Sequence, residues 1–428
     1  MNFRSILTLC CGLGLMVQSN AQSLRPRINS RVREAENAVK YGMDKNKERK
    51  SQEGRSAQGA DNPGSAETNS AGSSAESSEG KIFTSYTFLP GDKILYTEDF
   101  SETVVGDLPE GWNSNAGGHV VRLEDKSSWL NLIDGLYLAA AQKVQPGADY
   151  TIEFDLLLNV TPKTGYYLPY FYFGAYAGGS DGSAKNKFLQ NTFLHNGFEI
   201  KFEPSTTLGS KTILRSFQNK SETFNSGRKE NAVLGTKLRR TIHIALAVQK
   251  KRLQLWIDEH KLLDIPSAVN ADATPIDQLF FKVENSGGFN ESNFSYLVSN
   301  IRWAAAPPRK KSLLDEGNFS TTAIVFDVNS DRLKPESGGV LAMIADALRQ
   351  QPEMRLRIVG HTDSDGNPGS NLELSKKRSK AVQAALVSMF GVDAGRLETD
   401  GKGASQPVAD NRSREGKAAN RRVEFQKL

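Results

Sequence analysis

The sequence predicts a multidomain protein with three parts in chain order: a disordered N-terminal tether, an all-β sandwich and a compact α+β domain. At roughly 150 residues per domain, a chain of 428 residues is longer than one core would use. Short runs of alternating apolar and polar residues fill the stretch 81–306, whereas strand-like and helix-like patterns alternate along 318–428. A basic, proline-containing segment at 307–317 separates the two and is predicted to be a linker.

Composition argues against two classes of protein. The chain has 54 Lys and Arg against 49 Asp and Glu, a formal net charge of +5, and 38% of its residues are hydrophobic. A helical membrane bundle would be more apolar. A dedicated nucleic-acid binder would gather a larger basic surplus on a folded segment. We therefore expect no nucleic-acid partner.

The segment 1–21 has the pattern of an export signal. An apolar run at 6–17 is followed by Ser19–Ala21, a small-x-small cleavage site. A helix of that run would rise about 18 Å, short of a bilayer's hydrocarbon core of roughly 30 Å, so we expect cleavage rather than anchoring. Cys10 and Cys11 both lie in this segment. The exported chain would therefore have neither disulfides nor a thiolate metal site.

The segment 22–80 predicts a basic arm followed by a disordered tether. Between Arg25 and Lys50 there are nine basic and four acidic side chains. This arm either contacts an anionic polymer or membrane surface or, in the interpretation we favour, is a solvated leader. Residues 51–80 contain no Val, Ile, Leu, Met, Phe, Trp, Tyr or Cys, so they can form no core.

The stretch 81–306 predicts antiparallel strands that pack as two sheets. Apolar residues alternate with polar ones along 151–158 and 242–249, which gives each strand one inward face. A turn at Lys250 and Lys251 leads into another such run, as in a meander. Further strands are predicted at 93–97, 119–123, 166–176, 198–202, 279–283 and 296–303. Ten or so strands of this kind are typical of a sandwich.

Two blocks in this stretch resemble jelly-roll, lectin-like domains of the concanavalin A or laminin G type. They are Glu98–Phe100 together with Gly106–Trp112, and Arg252–Asp258. Such domains bind carbohydrates or proteins, or serve only as spacers, so the resemblance leaves open whether the sandwich has a carbohydrate or an envelope protein as its ligand or is a spacer. The aromatic run Tyr166–Tyr176 could stack on sugars if exposed, but we expect its alternate members to form one core face.

Strands and helices alternate along 318–428, as expected for an α+β unit of about 110 residues. Strands are predicted at 323–327, 355–361, near Leu397 and at 421–426, and helices at 335–350, 372–390 and 413–419.

Five polar blocks in this unit are spaced in a way that a core does not require. In chain order they are Phe326–Ser330, Gly360–Gly366, Asn371–Arg378, Gly401–Pro407 and Asn420–Phe425. Together they resemble the OmpA-like peptidoglycan-binding domain of Gram-negative cell envelopes, over about the last quarter of the chain. The resemblance implies a non-catalytic, wall-attached protein of the periplasm, at the inner face of the outer membrane.

In that family, an Asp at a strand end and an Arg of the following helix hold the diaminopimelate side chain of the peptidoglycan stem peptide. The corresponding residues here are Asp363 and Arg378. The free end of diaminopimelate is a zwitterion, so a carboxylate and a guanidinium that face each other can hold both charges. The resemblance also implies that Phe326, Asp327 and Leu374 border the ligand.

Other polar residues of the unit are expected to support the site. Asn371 would shape the loop or cap the helix. Asn420 and Arg421 are as readily structural as ligand-binding. His361 lacks a nucleophile or metal partner in the pattern, so we expect a hydrogen-bonded framework residue. The five histidines show no metal-ligand spacing, and we expect neither a metal nor a cofactor.

The leading hypothesis is a non-catalytic protein that links the wall to the outer membrane or to a ligand of the sandwich. One alternative makes the sandwich a glycan hydrolase or lyase, which needs paired carboxylates across a cleft, and the sequence alone does not pair them. Another makes the middle region an eight-stranded outer-membrane barrel. Charges such as Lys201 and Arg215 in strand-like runs, and long Gly- and Ser-rich loops, argue against that barrel.

Overall fold

The computed structural model describes eight stretches of the chain: 86–139, 144–164, 166–178, 187–189, 196–270, 276–285, 287–305 and 318–428. The predicted signal peptide at 1–21, the basic arm and tether at 22–80 and the linker at 307–317 lie outside the described residues. Within the described stretches, no helix is both long and apolar enough to span a bilayer.

Two antiparallel sheets of eight strands each form the first unit of the described chain. Its strands are β1 (Lys93–Glu98), β2 (Asn113–Ser114), β3 (His119–Arg122), β4 (Ser128–Leu132), β5 (Gly135–Leu138), β6 (Asp149–Val160), β7 (Tyr170–Tyr176), β8 (Gly197–Glu203), β9 (Ser210–Gln218), β10 (Ser221–Asn225), β11 (Lys229–Asn231), β12 (Thr241–Gln249), β13 (Arg252–Ile257), β14 (His260–Ile265), β15 (Gln278–Glu284) and β16 (Phe294–Ala305). One sheet has the order β14-β13-β12-β6-β16-β4-β3, with β1 paired to β16. The other has the order β10-β9-β8-β7-β15-β5-β2, with β11 paired to β9.

Aromatic side chains from both sheets meet in one core. The ring centre of Phe154, on β6, lies 4.9 Å from that of Phe173 on β7 and 5.0 Å from that of Phe281 on β15. Since β6 belongs to one sheet and β7 and β15 to the other, the sheets pack face to face. The prediction of two antiparallel sheets is confirmed, and their shared core makes the unit a sandwich.

The aromatic run on β7 divides between the core and the outer face of its sheet. Phe171 and Phe173 are fully buried among the core aromatics. On the opposite face, the Lys201 ammonium lies 3.8 Å from the ring centre of Tyr170. The strand therefore has one core face of alternate residues. Tyr166 and Tyr167, which precede the strand, are exposed.

The second unit is a four-stranded sheet covered by helices. Its elements are β17 (Asn318–Thr321), α1 (Gly338–Gln350), β18 (Leu356–His361), α2 (Pro368–Ser388), β19 (Leu397–Gly403), α3 (Arg414–Asn420) and β20 (Val423–Lys427), with short 3-10 helices at Pro335–Ser337 and Ala394–Arg396. The sheet order is β17-β20-β18-β19; β18 and β19 are parallel and the other pairs antiparallel. The predicted α+β class is confirmed.

The predicted strand at 323–327 is wrong. The edge strand is Asn318–Thr321, and Phe326 forms only an isolated bridge with Leu333. The chain turns between these two residues, where the Ser330 amide donates to the Asp327 carbonyl over 3.1 Å. The segment therefore reverses direction instead of continuing as a strand.

The helix predicted at 372–390 begins four residues earlier, at Pro368. The side chain of Asn367 accepts hydrogen bonds from the amides of Gly369 and Ser370, and Pro368 takes the first helical position. A side-chain oxygen at the N-cap and a proline directly after it are both favourable at a helix start. Asn371 is therefore not the cap.

The two units are in contact through the segment Tyr86–Asp92. The ring centre of Phe88 lies 5.2 Å from that of Trp256 on the sandwich, and Leu89 packs against the core of the α+β unit. A Cβ atom on Gly339 would lie 2.0 Å from the carbonyl oxygen of Phe88, so α1 can approach the segment only with a glycine there.

Asp92 at this junction supports a prediction about pH. Its carboxylate accepts a hydrogen bond from the Thr321 hydroxyl at 3.1 Å, and burial raises its pKa from 3.8 to about 6. The folded chain thus binds this proton more tightly than the unfolded chain, so stability falls as the pH rises from about 4 to 6. We expect Asp92→Asn to raise the free energy of unfolding by about 1–2 kcal/mol at pH 7.5, after allowing for solvent screening, and to give no gain at pH 4.

Denaturant unfolding at both pH values measures this effect. Asp264→Asn is the control, because hydrogen bonding to Arg252 lowers the pKa of Asp264 to about 2. Loss of this carboxylate is therefore expected to lower the free energy of unfolding at pH 7.5, opposite in sign to the effect of Asp92→Asn. Equal stability changes for Asp92→Asn at pH 4 and pH 7.5 would contradict the assignment.

Candidate functional site

A cavity of about 450 Å³ lies between the sandwich and the α+β unit. The α+β unit contributes every residue that the sequence predicted for the site: Phe326, Asp327, Asp363, Asn371, Leu374 and Arg378. The sandwich contributes polar side chains that the sequence did not predict for it: Thr97, Asp99, Glu153, Asp155, His243, Asn300 and Arg302. The six predicted residues therefore share one space, and the sandwich forms part of its wall.

Asp363 lies just past the end of β18 and is 9% exposed. One of its carboxylate oxygens accepts from the Asp365 amide at 3.1 Å, and the other accepts from the Arg421 guanidinium at 2.6 Å. The side-chain amide of Asn371 donates to the carbonyls of Asp363 and Asp365, at 3.3 and 2.9 Å. Asn371 therefore shapes the loop that positions the Asp363 carboxylate.

Arg378 reaches the same cavity from α2, one turn after Leu374. Its Nε donates to the Ser330 carbonyl at 2.9 Å, and its guanidinium carbon lies 4.8 Å from the ring centre of Phe326. This cation–π contact and the Nε hydrogen bond hold the guanidinium in place. Among the described residues, its two terminal nitrogens have no hydrogen-bond partner. They can therefore donate to an anionic group in the cavity.

The cations around Asp363 set the electrostatics of the site. Burial lowers the pKa of Arg378, and the nearby charge of Arg421 lowers it further, whereas Asp363 acts in the opposite direction. One buried carboxylate and two guanidinium groups thus line the same cavity. Such an arrangement can bind an ammonium and a carboxylate together, provided the two are close neighbours in the ligand.

The α+β unit matches a family model. The model described as "OmpA family" covers residues 325–421. The outer-membrane lipoprotein YfiB of Pseudomonas aeruginosa is 42% identical over 113 residues, which are 26% of this chain and 67% of that protein. This chain belongs to the OmpA family. The match lies in its C-terminal unit, which we call the OmpA domain.

Two further similarities fall on the OmpA domain. The peptidoglycan-binding protein ArfA of Mycobacterium bovis is 40% identical over 102 residues, 24% of this chain and 31% of that protein. The crystal structure of the peptidoglycan-associated lipoprotein from Burkholderia pseudomallei is 31% identical and covers 26% of this chain and 89% of that one, with a TM-score of 0.24. The chain spans from 29% to 67% of the length of curated relatives such as these.

Arg421 is the site residue that sequence reasoning did not assign. It lies in the short connection between α3 and β20, and its contact with Asp363 arises because β20 pairs with β18. Asn420, by contrast, is structural: its fully buried side chain accepts from the amides of Val408 and Ala409 at 2.8 and 3.0 Å.

His361 differs from its expected role as a hydrogen-bonded framework residue. It is 2% exposed, and neither ring nitrogen has a hydrogen-bond partner among the described residues. Its Nε2 lies 3.4 Å from a carboxylate oxygen of Glu424 without hydrogen-bond geometry. Burial lowers the pKa of His361 to about 4, so the ring is neutral at neutral pH.

Proposed function

We propose that this protein binds peptidoglycan without catalysis, by holding the diaminopimelate side chain of the stem peptide between Asp363 and Arg378. One observation carries the proposal: the buried Asp363 carboxylate and the terminal nitrogens of Arg378, unpaired among the described residues, line one cavity. The protein would then be attached to the wall in the periplasm, at the inner face of the outer membrane.

The chemistry of the ligand fits this pair of charges. The end of the diaminopimelate side chain carries an ammonium and a carboxylate on one carbon. Arg378 offers two terminal nitrogens for bidentate contact with the carboxylate. Asp363 keeps acceptor capacity for the ammonium, because each of its oxygens has one hydrogen-bond partner and two lone pairs.

The expected strength of one such site is modest. Each charge-assisted contact contributes about 1.5–3 kcal/mol, and two of them with neutral hydrogen bonds support a Kd roughly in the micromolar range. Peptidoglycan repeats the same stem peptide along a polymer, so rebinding raises the apparent affinity without further contacts. The proposal also draws on ArfA, a relative that is named as a peptidoglycan-binding protein.

The sandwich is proposed as a second binding element, a jelly-roll, lectin-like domain that takes a carbohydrate or an envelope protein. Tyr166 and Tyr167 support this role, because they are 56% and 66% exposed and adjacent. Aromatic rings at a surface offer flat apolar faces for sugar rings. In this proposal the protein links the wall to the ligand of its sandwich.

Sedimentation with isolated sacculi tests the proposed function. We expect the chain without residues 1–21, the predicted signal peptide, to sediment with sacculi whose stem peptide contains diaminopimelate, and to be released by free meso-diaminopimelate. Sacculi with lysine at that position lack the side-chain carboxylate, so we expect them to bind far less protein. Equal sedimentation with both kinds of sacculi would overturn the proposal.

A further inference from the structure

A second group of side chains with metal-binding chemistry lies in the wall of the same cavity. It consists of Asp155 on β6, His243 on β12 and Glu336 in the 3-10 helix that precedes α1. One potential ligand atom from each residue lies within 4.8 Å of those of the other two. His243 Nδ1 is 2.8 Å from an oxygen of Asp155 and 3.7 Å from an oxygen of Glu336.

We propose that Asp155, His243 and Glu336 bind a divalent transition-metal cation of the Zn²⁺ class at the junction of the sandwich and the OmpA domain. Two carboxylate oxygens and one imidazole nitrogen are a ligand set that Zn²⁺ accepts, at about 2.0–2.2 Å from each atom. The three atoms are close enough to converge on one ion with small side-chain movements. Because Glu336 comes from the OmpA domain and the other two from the sandwich, the ion would join both units.

The groups that orient metal ligands are already in place behind these side chains. His243 Nε2, on the side of the ring away from Asp155, faces a carboxylate oxygen of Glu153 at 3.5 Å. The Arg302 guanidinium holds Glu153 at 2.6 Å. The second oxygen of Asp155 accepts from the Asn300 amide at 2.7 Å. A ligating histidine backed by a carboxylate, and a ligating carboxylate held by a hydrogen bond, are the usual outer contacts of a metal site.

An orphaned polar atom provides a second and independent observation. Among the described residues, Glu336 Oε2 is buried and has no hydrogen-bond partner. Buried polar groups in native proteins almost always have partners. A bound cation or its water would supply one for Glu336.

The competing explanation is an ion-pair network with a protonated His243. In that network Nδ1 of the ring donates to Asp155 at 2.8 Å and lies 3.7 Å from Glu336. The network leaves Glu336 Oε2 without a hydrogen-bond partner among the described residues, whereas a hydrated cation would provide one. This difference favours the cation.

The carboxylates around His243 differ in their cationic neighbours. Glu153 is paired with Arg302, and the Lys334 ammonium lies 3.8 Å from Asp155. Within the described parts of the chain, no Lys or Arg lies within 4.0 Å of Glu336. When His243 is neutral, as a metal ligand must be, Glu336 has no cationic partner within that distance, and a bound cation would provide one. The cavity that reaches all three proposed ligands gives an ion a path to them.

Zinc binding to the full, chelator-treated chain without a polyhistidine tag tests the proposal. Titration calorimetry with Zn²⁺ is expected to show one site with a Kd in the micromolar range or tighter. His243→Gln and Glu336→Gln are each expected to raise the Kd for Zn²⁺ at least about 10-fold. His260→Gln is the matched control, because this exposed histidine on β14 belongs to the same sheet and lies outside the cluster. The affinity of the His260→Gln variant for Zn²⁺ should equal that of the wild type.

Two further readouts separate the proposed site from surface binding. Co²⁺ in place of Zn²⁺ is expected to give the strong visible absorption of a four-coordinate site, lost in both variants and kept in the control. Zn²⁺ is also expected to raise the melting temperature of the wild type and the control but not of the variants, whose folding is checked by circular dichroism. Zinc binding that survives in folded His243→Gln and Glu336→Gln, or no binding by the wild type, would overturn the proposal.

Discussion

Arg378→Ala is expected to raise the apparent Kd for diaminopimelate sacculi about 100-fold, which corresponds to about 3 kcal/mol. The substitution removes the terminal nitrogens assigned to the ligand's carboxylate and leaves that charge without a partner in a partly buried site. Asp363→Asn is expected to raise the apparent Kd by a similar factor, because a neutral amide of the same shape cannot neutralise the ligand's ammonium. Sedimentation at graded sacculus concentrations measures both losses.

Arg357→Ala is the control for this series. Arg357 lies on β18 in the same domain, but its guanidinium is paired with Glu398 at 2.9 Å and does not line the cavity. We expect its binding to equal that of the wild type. Asp363→Asn also weakens the ion pair with Arg421, which can lower the stability of the domain. The melting temperatures of Asp363→Asn and Arg378→Ala are therefore compared, to separate a loss of stability from a loss of binding. Wild-type sedimentation by a folded Arg378→Ala variant would refute the assigned role.

Phe281→Ala is expected to lower the free energy of unfolding of the sandwich by about 3–5 kcal/mol. Its fully buried ring lies at the centre of the core, with ring centres 5.0 Å from Phe154, 6.0 Å from Phe171 and 6.1 Å from Trp112. Truncation removes the contact with Phe154 of the opposite sheet and those with Phe171 and Trp112, and leaves a cavity that rigid strands cannot close. Urea unfolding followed by tryptophan fluorescence measures the loss.

The sequence makes this measurement selective, because all four tryptophans of the chain lie in the sandwich: Trp112, Trp129, Trp256 and Trp303. Phe281→Leu is the conservative control and should cost less than about half as much, since it keeps most of the buried apolar volume. A fluorescence transition that does not move in Phe281→Ala would show that this ring does not support the core.

Periodic patterns predicted the fold well where one face of an element is buried. The alternation along β6 and β12 identified both strands, because each has one face in a shared core. The start of α2 was missed because Asn367, Pro368 and Gly369 are typical turn residues. In the structure they form a helix cap, which only the side-chain hydrogen bonds of Asn367 reveal.

Contacts between distant segments account for what the sequence did not predict. Asp155 and His243 are separated by 88 positions and become neighbours only through strand register, so no local metal-ligand spacing marks them. Arg421 reaches Asp363 for the same reason. The six site residues taken from the family resemblance converge on one cavity, whereas the sandwich side of that cavity could not be predicted without the packing of the two units.

The segment Tyr86–Asp92 has a mechanical consequence. Phe88 is held against the sandwich and Leu89 against the OmpA domain, while the Phe88 carbonyl abuts α1 at Gly339. A pulling force applied at Tyr86 while the OmpA domain is held would load this segment before it stretched either sheet. The first event under tension would then be release of the segment, while Arg414 still pairs with Glu98 and Glu102 across the two units.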